Sequence, residues 1–71
     1  MIDIQAVKDG DFVEVETMYG IEIGIYKGTL QVLTDMHEVW IHGNPASMRI
    51  VYKTKFVGHQ PAITIGRGRV T

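Results

Sequence analysis

Three basic residues in the second half of the chain are the strongest candidates for a chemical role. Arg49, Lys53 and Lys55 are separated by even numbers of residues, so an extended strand would place them on one face. With Tyr52 or Trp40 nearby, they match surfaces that hold single-stranded nucleic acid, on which cations contact phosphates and rings stack on bases. The alternative is a solvated strand face, where Lys and Arg block pairing at the edge. The pattern leaves both interpretations open.

The residue groups that catalysis and metal binding require are sparse. Ser47, the only serine, lies among turn-forming residues without a Gly-x-Ser-x-Gly context, and no Gly-x-x-x-x-Gly-Lys-Ser/Thr loop is present to hold phosphate. His37 and His42 are five residues apart, so a single strand would point them to opposite faces. The other potential metal ligands are Asp35, Glu38 and His59. We expect no catalytic residue, no metal and no cofactor.

Alternating residues predict the elements that position these side chains. Val13 and Val15 alternate with Glu14 and Glu16, and similar period-two patterns recur along the chain. They predict strands at residues 12–18, 21–27 with a continuation through 30–33, 38–42, 48–57 and 62–65. Turn-forming residues predict loops at 43–47 and 58–61. Residues 1–10 could form one or two helical turns with Asp3 as the cap, or equally a short extended lead-in.

Short strands, tight turns and frequent Val and Ile define the fold class. They predict an all-β fold, a small, strongly bent antiparallel barrel of five or six strands with at most one short N-terminal helix. Gly24 and Gly28 lie inside one predicted strand, where glycine suits a sheet that bends to close on itself. Sm-like, SH3-like and OB folds all fit this description, and they are mainly binding platforms.

The size of the chain predicts one domain and an assembly. At 71 residues, the chain buries only about 60% of the surface that its unfolded form exposes, which gives marginal stability. There is no cysteine to form disulfides, so oligomerisation is the usual remaining support. No apolar run approaches the roughly 20 residues that cross a bilayer. We expect a single domain over residues 1–71 in a soluble, cytoplasmic protein that does not contact membranes.

Charge divides unevenly between the two halves of the chain. All eight acids precede residue 39, where they face two bases, a net charge of -6. Five bases and no acid follow, a net charge of +5. This polarity favours a basic surface for an anionic partner, or complementary edges that pair between subunits. The third interpretation is that the two halves neutralise each other within one barrel.

Two segments follow the order of a known pair of motifs. The first motif is a strand, a glycine turn, a second strand with an internal glycine, and a short Asp-containing loop before a hydrophobic strand. It matches residues 12–20, 21–28 and 35–41 in that order. Residues 63–68 read as a hydrophobic strand ending in Arg-Gly. On these residues, over roughly 12–68, the chain resembles the Sm-like family, the Sm and Lsm proteins of RNA metabolism and their bacterial Hfq relatives.

The resemblance implies a set of nucleic-acid contacts. In the family, the residues matching Asp35, His37 and Glu38 lie in a loop that faces the pore of a ring. A histidine or aromatic residue there stacks on uracil, the role implied for His37, and an asparagine hydrogen-bonds the base. Arg67 and Gly68 would lie beside the same base. Glu38 stands where the family carries asparagine, and a carboxylate accepts hydrogen bonds but donates none.

Together these observations predict a binding protein. The first hypothesis is a non-catalytic, Sm-like homo-oligomeric ring of five to seven subunits that binds RNA or other single-stranded nucleic acid, with Arg49, Lys53 and Lys55 contacting phosphates. The alternative is a structural or protein-interaction module, such as a viral or assembly component, with an SH3-like barrel and no nucleic-acid binding. A net charge of -1 favours the alternative, because nucleic-acid binders are usually basic.

Overall fold

The computed structural model describes residues 2–31, 33 and 35–62, and they form one five-stranded antiparallel sheet. The strands lie in the order β4-β3-β2-β1-β5. Their bounds are Phe12–Thr17 (β1), Gly20–Gln31 (β2), Met36–Ile41 (β3), Met48–Tyr52 (β4) and Phe56–Gln60 (β5). Three short 3-10 turns complete the fold, at Ile4–Ala6 (η1), Pro45–Ser47 (η2) and Lys53–Lys55 (η3). The prediction of a small all-β fold is confirmed, with five strands.

The sheet curls around one core. Val51 of β4 and Phe56 of β5 belong to the same buried cluster, although β4 and β5 are opposite edges of the sheet. The sheet must therefore bend until its two edges approach each other, and η3 connects them with three residues. The buried apolar side chains are Val7, Val13, Val15, Tyr26, Val39, Ile41, Val51 and Phe56.

Two glycines in β2 accommodate this bend for different reasons. Gly28 has a φ of 121°, a conformation that L side chains rarely adopt, and the pairing of β2 with β3 shifts register beside it. Gly24 instead provides close approach, because a Cβ there would lie 2.5 Å from Val39 Cγ1 and 2.8 Å from the Trp40 carbonyl oxygen. Any larger residue at position 24 would push β2 away from β3.

The prediction of one strand over residues 48–57 is wrong. The chain leaves the sheet after Tyr52 through η3, which closes where the Phe56 amide donates to the Lys53 carbonyl oxygen. The Lys53 amide still donates to the Asp35 carbonyl oxygen at 3.2 Å, next to the last pair of β3 and β4. The strand resumes at Phe56, whose side chain is fully buried. The predicted turn at 58–61 is also wrong, since β5 continues to Gln60. Of the predicted strand at 62–65, residues 63–65 lie outside the described residues.

The N-terminal segment covers one end of the barrel. Asp3 accepts a hydrogen bond from the Gln5 amide at 3.1 Å and caps η1, the helical one of the two alternatives that the sequence left open. Ile2 and Ile4 pack against the core cluster. Within the described part of the chain, no helix has the length and apolar character to span a bilayer.

Candidate functional site

Two depressions flank η3, and together they contain most of the predicted contact residues. One, which we call the polar pocket, has a volume of about 200 Å³ and is lined by Ile4, Gln5, Thr29, Asp35, His37 and Lys53. The other, the edge groove, has a volume of about 530 Å³. Its lining residues are Glu16, Thr17, Met18, Tyr19, Arg49, Ile50, Val51, Tyr52 and Lys55.

His37 forms the inner wall of the polar pocket. The expectation that it lies in a loop is wrong, because it belongs to β3 and its side chain is only 4% exposed. A hydrogen bond of 2.8 Å joins His37 Nδ1 to Tyr26 Oη, and Thr29 Oγ1 lies 3.3 Å from the same nitrogen. His37 Nε2 is buried and has no partner among the described residues. An imidazole with so little exposed surface is not open for stacking on a base.

Burial sets the protonation of His37. Desolvation lowers its pKa, the Asp35 carboxylate raises it in part, and the Lys53 ammonium lowers it again, leaving the pKa below the ordinary value of 6.5. The neutral imidazole is therefore favoured in the folded protein at neutral pH. Phe56 packs edge-on against the ring, with centroids 5.6 Å apart, and Tyr26 lies at the same separation.

An ion pair lies in the lining of the polar pocket. Lys53 Nζ lies 3.4 Å from Asp35 Oδ2, and both side chains are nearly half exposed. Asp35 has a φ of 53°, a turn conformation that aspartate tolerates, and its backbone oxygen also anchors Lys53. The pocket thus combines an ammonium, a carboxylate, a hydroxyl and the amide of Gln5 in a small volume. These groups can donate and accept hydrogen bonds to a small planar polar ligand.

The edge groove combines two cations with two exposed aromatic rings. Tyr19 and Tyr52 are 74% and 54% exposed. Arg49 lies on the same side of β4 as buried Val51 but is itself exposed, and in the described part of the chain it forms no ion pair. Lys55 Nζ lies 3.9 Å from Glu16 Oε1, a long and exposed contact that contributes little to stability.

The structure separates the predicted residues into several places. Arg49, Lys53 and Lys55 do not share a strand face, because Arg49 belongs to β4 and the two lysines to η3. Glu38 lies away from both depressions, on the outer side of β3, where it accepts a hydrogen bond from Trp40 Nε1 at 2.8 Å. The remaining two predicted contacts, Arg67 and Gly68, lie outside the described residues.

Sequence reasoning missed Tyr19, Thr29 and Gln5. Tyr19 could have been identified, because a two-residue turn between β1 and β2 leaves both of its side chains exposed. Thr29 and Gln5 had no comparable signal, since they reach the polar pocket only through the packing of β2 and η1.

Among the residues that the structure describes, no three His, Asp or Glu side chains converge in a way that could hold a metal ion.

Comparisons of this chain with protein-family models, with curated proteins and with solved structures found no match. The resemblance to the Sm-like family therefore stays a prediction.

Proposed function

We propose that this protein is a small, non-catalytic, Sm-like module that binds single-stranded RNA or DNA in the cytoplasm. The observation that carries the proposal is the composition of the edge groove, in which Arg49 and Lys55 line the same depression as Tyr19 and Tyr52. The polar pocket lies on the other side of η3 and adds Lys53. Both depressions are bordered by this three-residue turn, so one extended ligand could contact both.

The edge groove suits a single strand because it offers both kinds of contact that such ligands need. Exposed tyrosine rings supply faces for bases, and stacking contributes about 1 to 3 kcal/mol per base. Arg49 has no competing carboxylate partner in the described part of the chain and can contact a phosphate. Lys55 can exchange its long contact with Glu16 for a second phosphate, since an exposed ion pair is weak.

The polar pocket suits the edge of one base. Lys53 and Gln5 can donate hydrogen bonds, while Asp35 and Thr29 can accept them. His37 acts here as a wall rather than as a stacking group, because its ring is buried. This placement replaces the contact that the resemblance implied for His37 and keeps Asp35 and Lys53 in the site.

Titration of a fluorescent polyuridine oligonucleotide by anisotropy tests the proposal. Tyr52→Ala should weaken binding roughly 5- to 150-fold, the range that corresponds to one lost base stack, and Tyr52→Phe should restore it. Arg49→Gln should weaken binding and reduce the dependence of affinity on salt by about one phosphate contact. Lys8→Gln is the matched control, since it removes one exposed positive charge outside both depressions.

Two results would contradict nucleic-acid binding in the groove. The first is no binding of polyuridine, polyadenine or oligothymidine at low salt. The second is a loss of affinity in Lys8→Gln equal to that in Arg49→Gln, which would indicate a general charge effect.

A second candidate function is an assembly module without nucleic-acid binding. The observation that favours it is β4, an edge strand whose outward residues Met48, Ile50 and Tyr52 are all exposed. Edge strands β4 and β5 could pair between copies and form the ring of five to seven subunits that the resemblance implies. Such a ring would have a mass of 40 to 56 kDa, five to seven times the 8.0 kDa chain. A strand of a neighbouring copy paired with β4 would compete with nucleic acid for the edge groove. Titration with an oligonucleotide and measurement of the mass in solution therefore distinguish the two functions.

A further inference from the structure

The ion pair in the lining of the polar pocket leaves hydrogen-bonding capacity on both of its members. Lys53 Nζ lies 3.4 Å from Asp35 Oδ2, so the contact engages one oxygen of the carboxylate. An ammonium has three N–H donors and a carboxylate has two acceptor oxygens, so one contact saturates neither group. Both side chains are nearly half exposed and therefore accessible to a ligand. The pocket presents a charged donor and a charged acceptor side by side.

The backbone holds this pair in place. The Lys53 amide donates to the Asp35 carbonyl oxygen at 3.2 Å, next to the pairing of Met36 with Tyr52. The two side chains thus start from backbone positions that the end of a strand pair fixes relative to each other. Groups placed on such positions recognise a ligand more precisely than groups on an unsupported loop.

The rest of the pocket lining suits one flat ring. Ile4 packs against the core cluster and offers an apolar surface, while Gln5 and Thr29 offer polar groups. His37 also lines the pocket, and its Nε2 has no hydrogen-bond partner among the described residues. The volume of about 200 Å³ is below the roughly 300 to 1,000 Å³ typical of sites for drug-sized ligands. The pocket therefore suits one base rather than a whole nucleotide.

From this pair we infer that the polar pocket prefers guanine to the other bases, an inference that rests on the proposed binding of single-stranded nucleic acid. One edge of guanine carries the acceptor O6, then the donor N1–H, then the N2 amino group, also a donor. The order Lys53 Nζ, Asp35 Oδ2, Asp35 Oδ1 is complementary to that edge. The ammonium can donate to O6 while the two carboxylate oxygens accept from N1–H and N2–H.

The other bases match the pair less well. Adenine and cytosine each offer one amino group beside a ring acceptor, so they can contact Lys53 and only one oxygen of Asp35. Uracil offers a single N–H between two carbonyl oxygens, and one of these oxygens would face the carboxylate. Two acceptors opposite each other repel, which disfavours uracil. This order of preference differs from the uracil contact that the resemblance to the Sm-like family implies.

The preference belongs to the polar pocket and not to the edge groove. Stacking on Tyr19 and Tyr52 tolerates any sequence because every base has a flat face, and phosphate contacts carry no sequence information. Strands without guanine should therefore still bind, and one guanine should add to their affinity. Loss of the preference and loss of binding are separate results.

Anisotropy titrations of labelled uridine oligonucleotides that differ at one central base test the inference. We expect a central guanosine to lower the dissociation constant about five- to tenfold relative to uridine, the effect of one hydrogen bond to a charged but exposed group. Inosine, which lacks the N2 amino group, should lie between guanosine and uridine. The analogue 7-deazaguanosine keeps the whole edge that the pair contacts and should bind like guanosine.

Asp35→Asn tests the carboxylate in the protein. Asparagine tolerates the left-handed φ of 53° at this position, so the backbone should be retained, which circular dichroism checks. Its amide offers one acceptor and one donor, so the guanosine preference should fall to about twofold or less while the uridine strand still binds. Asp9→Asn is the matched control, since it also removes an exposed carboxylate from an ion pair with a lysine, outside both depressions.

The outcomes separate this inference from the proposed function. Equal affinity for the guanosine, inosine and uridine strands overturns the inference and leaves nucleic-acid binding in the groove standing. A preference that survives in Asp35→Asn, or that falls equally in Asp9→Asn, also overturns it, because the Asp35 carboxylate is then not the group that recognises the base. Absence of binding by every strand overturns the proposed function and the inference with it. The comparison of strands uses the native chain, so it decides the inference even where Asp35→Asn fails to fold.

Discussion

His37 and His59 are both largely buried imidazoles in one small barrel, but they are stabilised in opposite ways. His37 lies in the core, where Tyr26 Oη is its close partner and Nε2 has none among the described residues. His59 Nε2 donates to Asp11 Oδ2 at 2.8 Å, at the edge of the core. One histidine is held by packing around a neutral ring, and the other by a carboxylate.

The Asp11 site is a fully satisfied polar cluster. Asp11 Oδ2 accepts from the Lys8 amide at 3.0 Å as well as from His59, and Oδ1 accepts from the Ala62 amide at 3.1 Å. Burial alone would raise the pKa of Asp11, but these hydrogen bonds and the charge of His59 outweigh it and hold the pKa below its ordinary value of 3.8. One carboxylate thereby joins the N-terminal segment, β5 and the residues after β5.

The comparison shows that burial of the same residue type does not determine its role. His59 lies beside a carboxylate that accepts hydrogen bonds from three donors, and it contributes to a cross-link between distant segments. A histidine surrounded by Tyr26, Phe56 and Val51 contributes volume and one hydrogen bond, with an unpaired nitrogen as a cost. The two sites should therefore respond differently to substitution and to acid.

The largest effect is expected at the Asp11 site. Asp11→Ala removes the acceptor for three donors, two of them backbone amides, and should lower the free energy of unfolding by about 2 to 3 kcal/mol. Urea unfolding followed by circular dichroism measures the change. Asp9→Ala is the control, because Asp9 forms one exposed ion pair with Lys27 and should matter little. Equal effects of the two substitutions would show that Asp11 is not a cross-link.

A smaller effect is expected in the core. Tyr26→Phe removes the hydroxyl that bonds His37 Nδ1 at 2.8 Å and leaves the imidazole with the weaker Thr29 contact at 3.3 Å. We expect a loss of about 1 to 2 kcal/mol in the free energy of unfolding, the usual cost of an unpaired buried polar group. Tyr52→Phe is the matched control, since Tyr52 is 54% exposed. If both variants unfold at the same urea concentration, the core hydrogen bond contributes nothing.

Much of the fold could be predicted from alternation, because alternation records which strand face meets the core. It located β1, most of β2, and β3 near their observed bounds. It failed at residues 48–57, where the period continues through Thr54 but the chain does not remain in the sheet. The break is the turn η3, which carries the chain from β4 at one edge of the sheet to β5 at the other, a change of partner strand that periodicity does not contain.

The site was less predictable than the fold. The burial of His37 did have a signal, since His37, Val39 and Ile41 alternate with Glu38 and Trp40, so the histidine shares the core face. The resemblance to a loop motif outweighed that pattern and suggested exposure. The sequence grouped Arg49, Lys55 and Tyr52 but not Tyr19, because the edge groove forms only where the turn between β1 and β2 approaches β4 across the curled sheet.

The smallest of the three effects should appear as a pH dependence of stability. The pKa of His37 in the folded state lies below the ordinary 6.5, so as the pH falls below about 6.5 the unfolded chain binds more protons than the folded one. The free energy of unfolding should therefore decrease with acid in this window. Tyr26 and Phe56 pack against the ring, and the nearby Asp35 and Lys53 act on the pKa of His37 in opposite directions.

His37→Gln isolates this effect from the other histidines, because it retains a polar side chain that does not titrate. Urea unfolding of both proteins at several pH values should give a steeper loss of stability below pH 6.5 for the native chain than for the variant. A separate loss, common to both, should follow below about 3.8 as Asp11 becomes protonated and its hydrogen bonds weaken. Parallel curves near pH 6.5 would show that the core accommodates the charged imidazole, and that His37 and His59 differ less than their surroundings indicate.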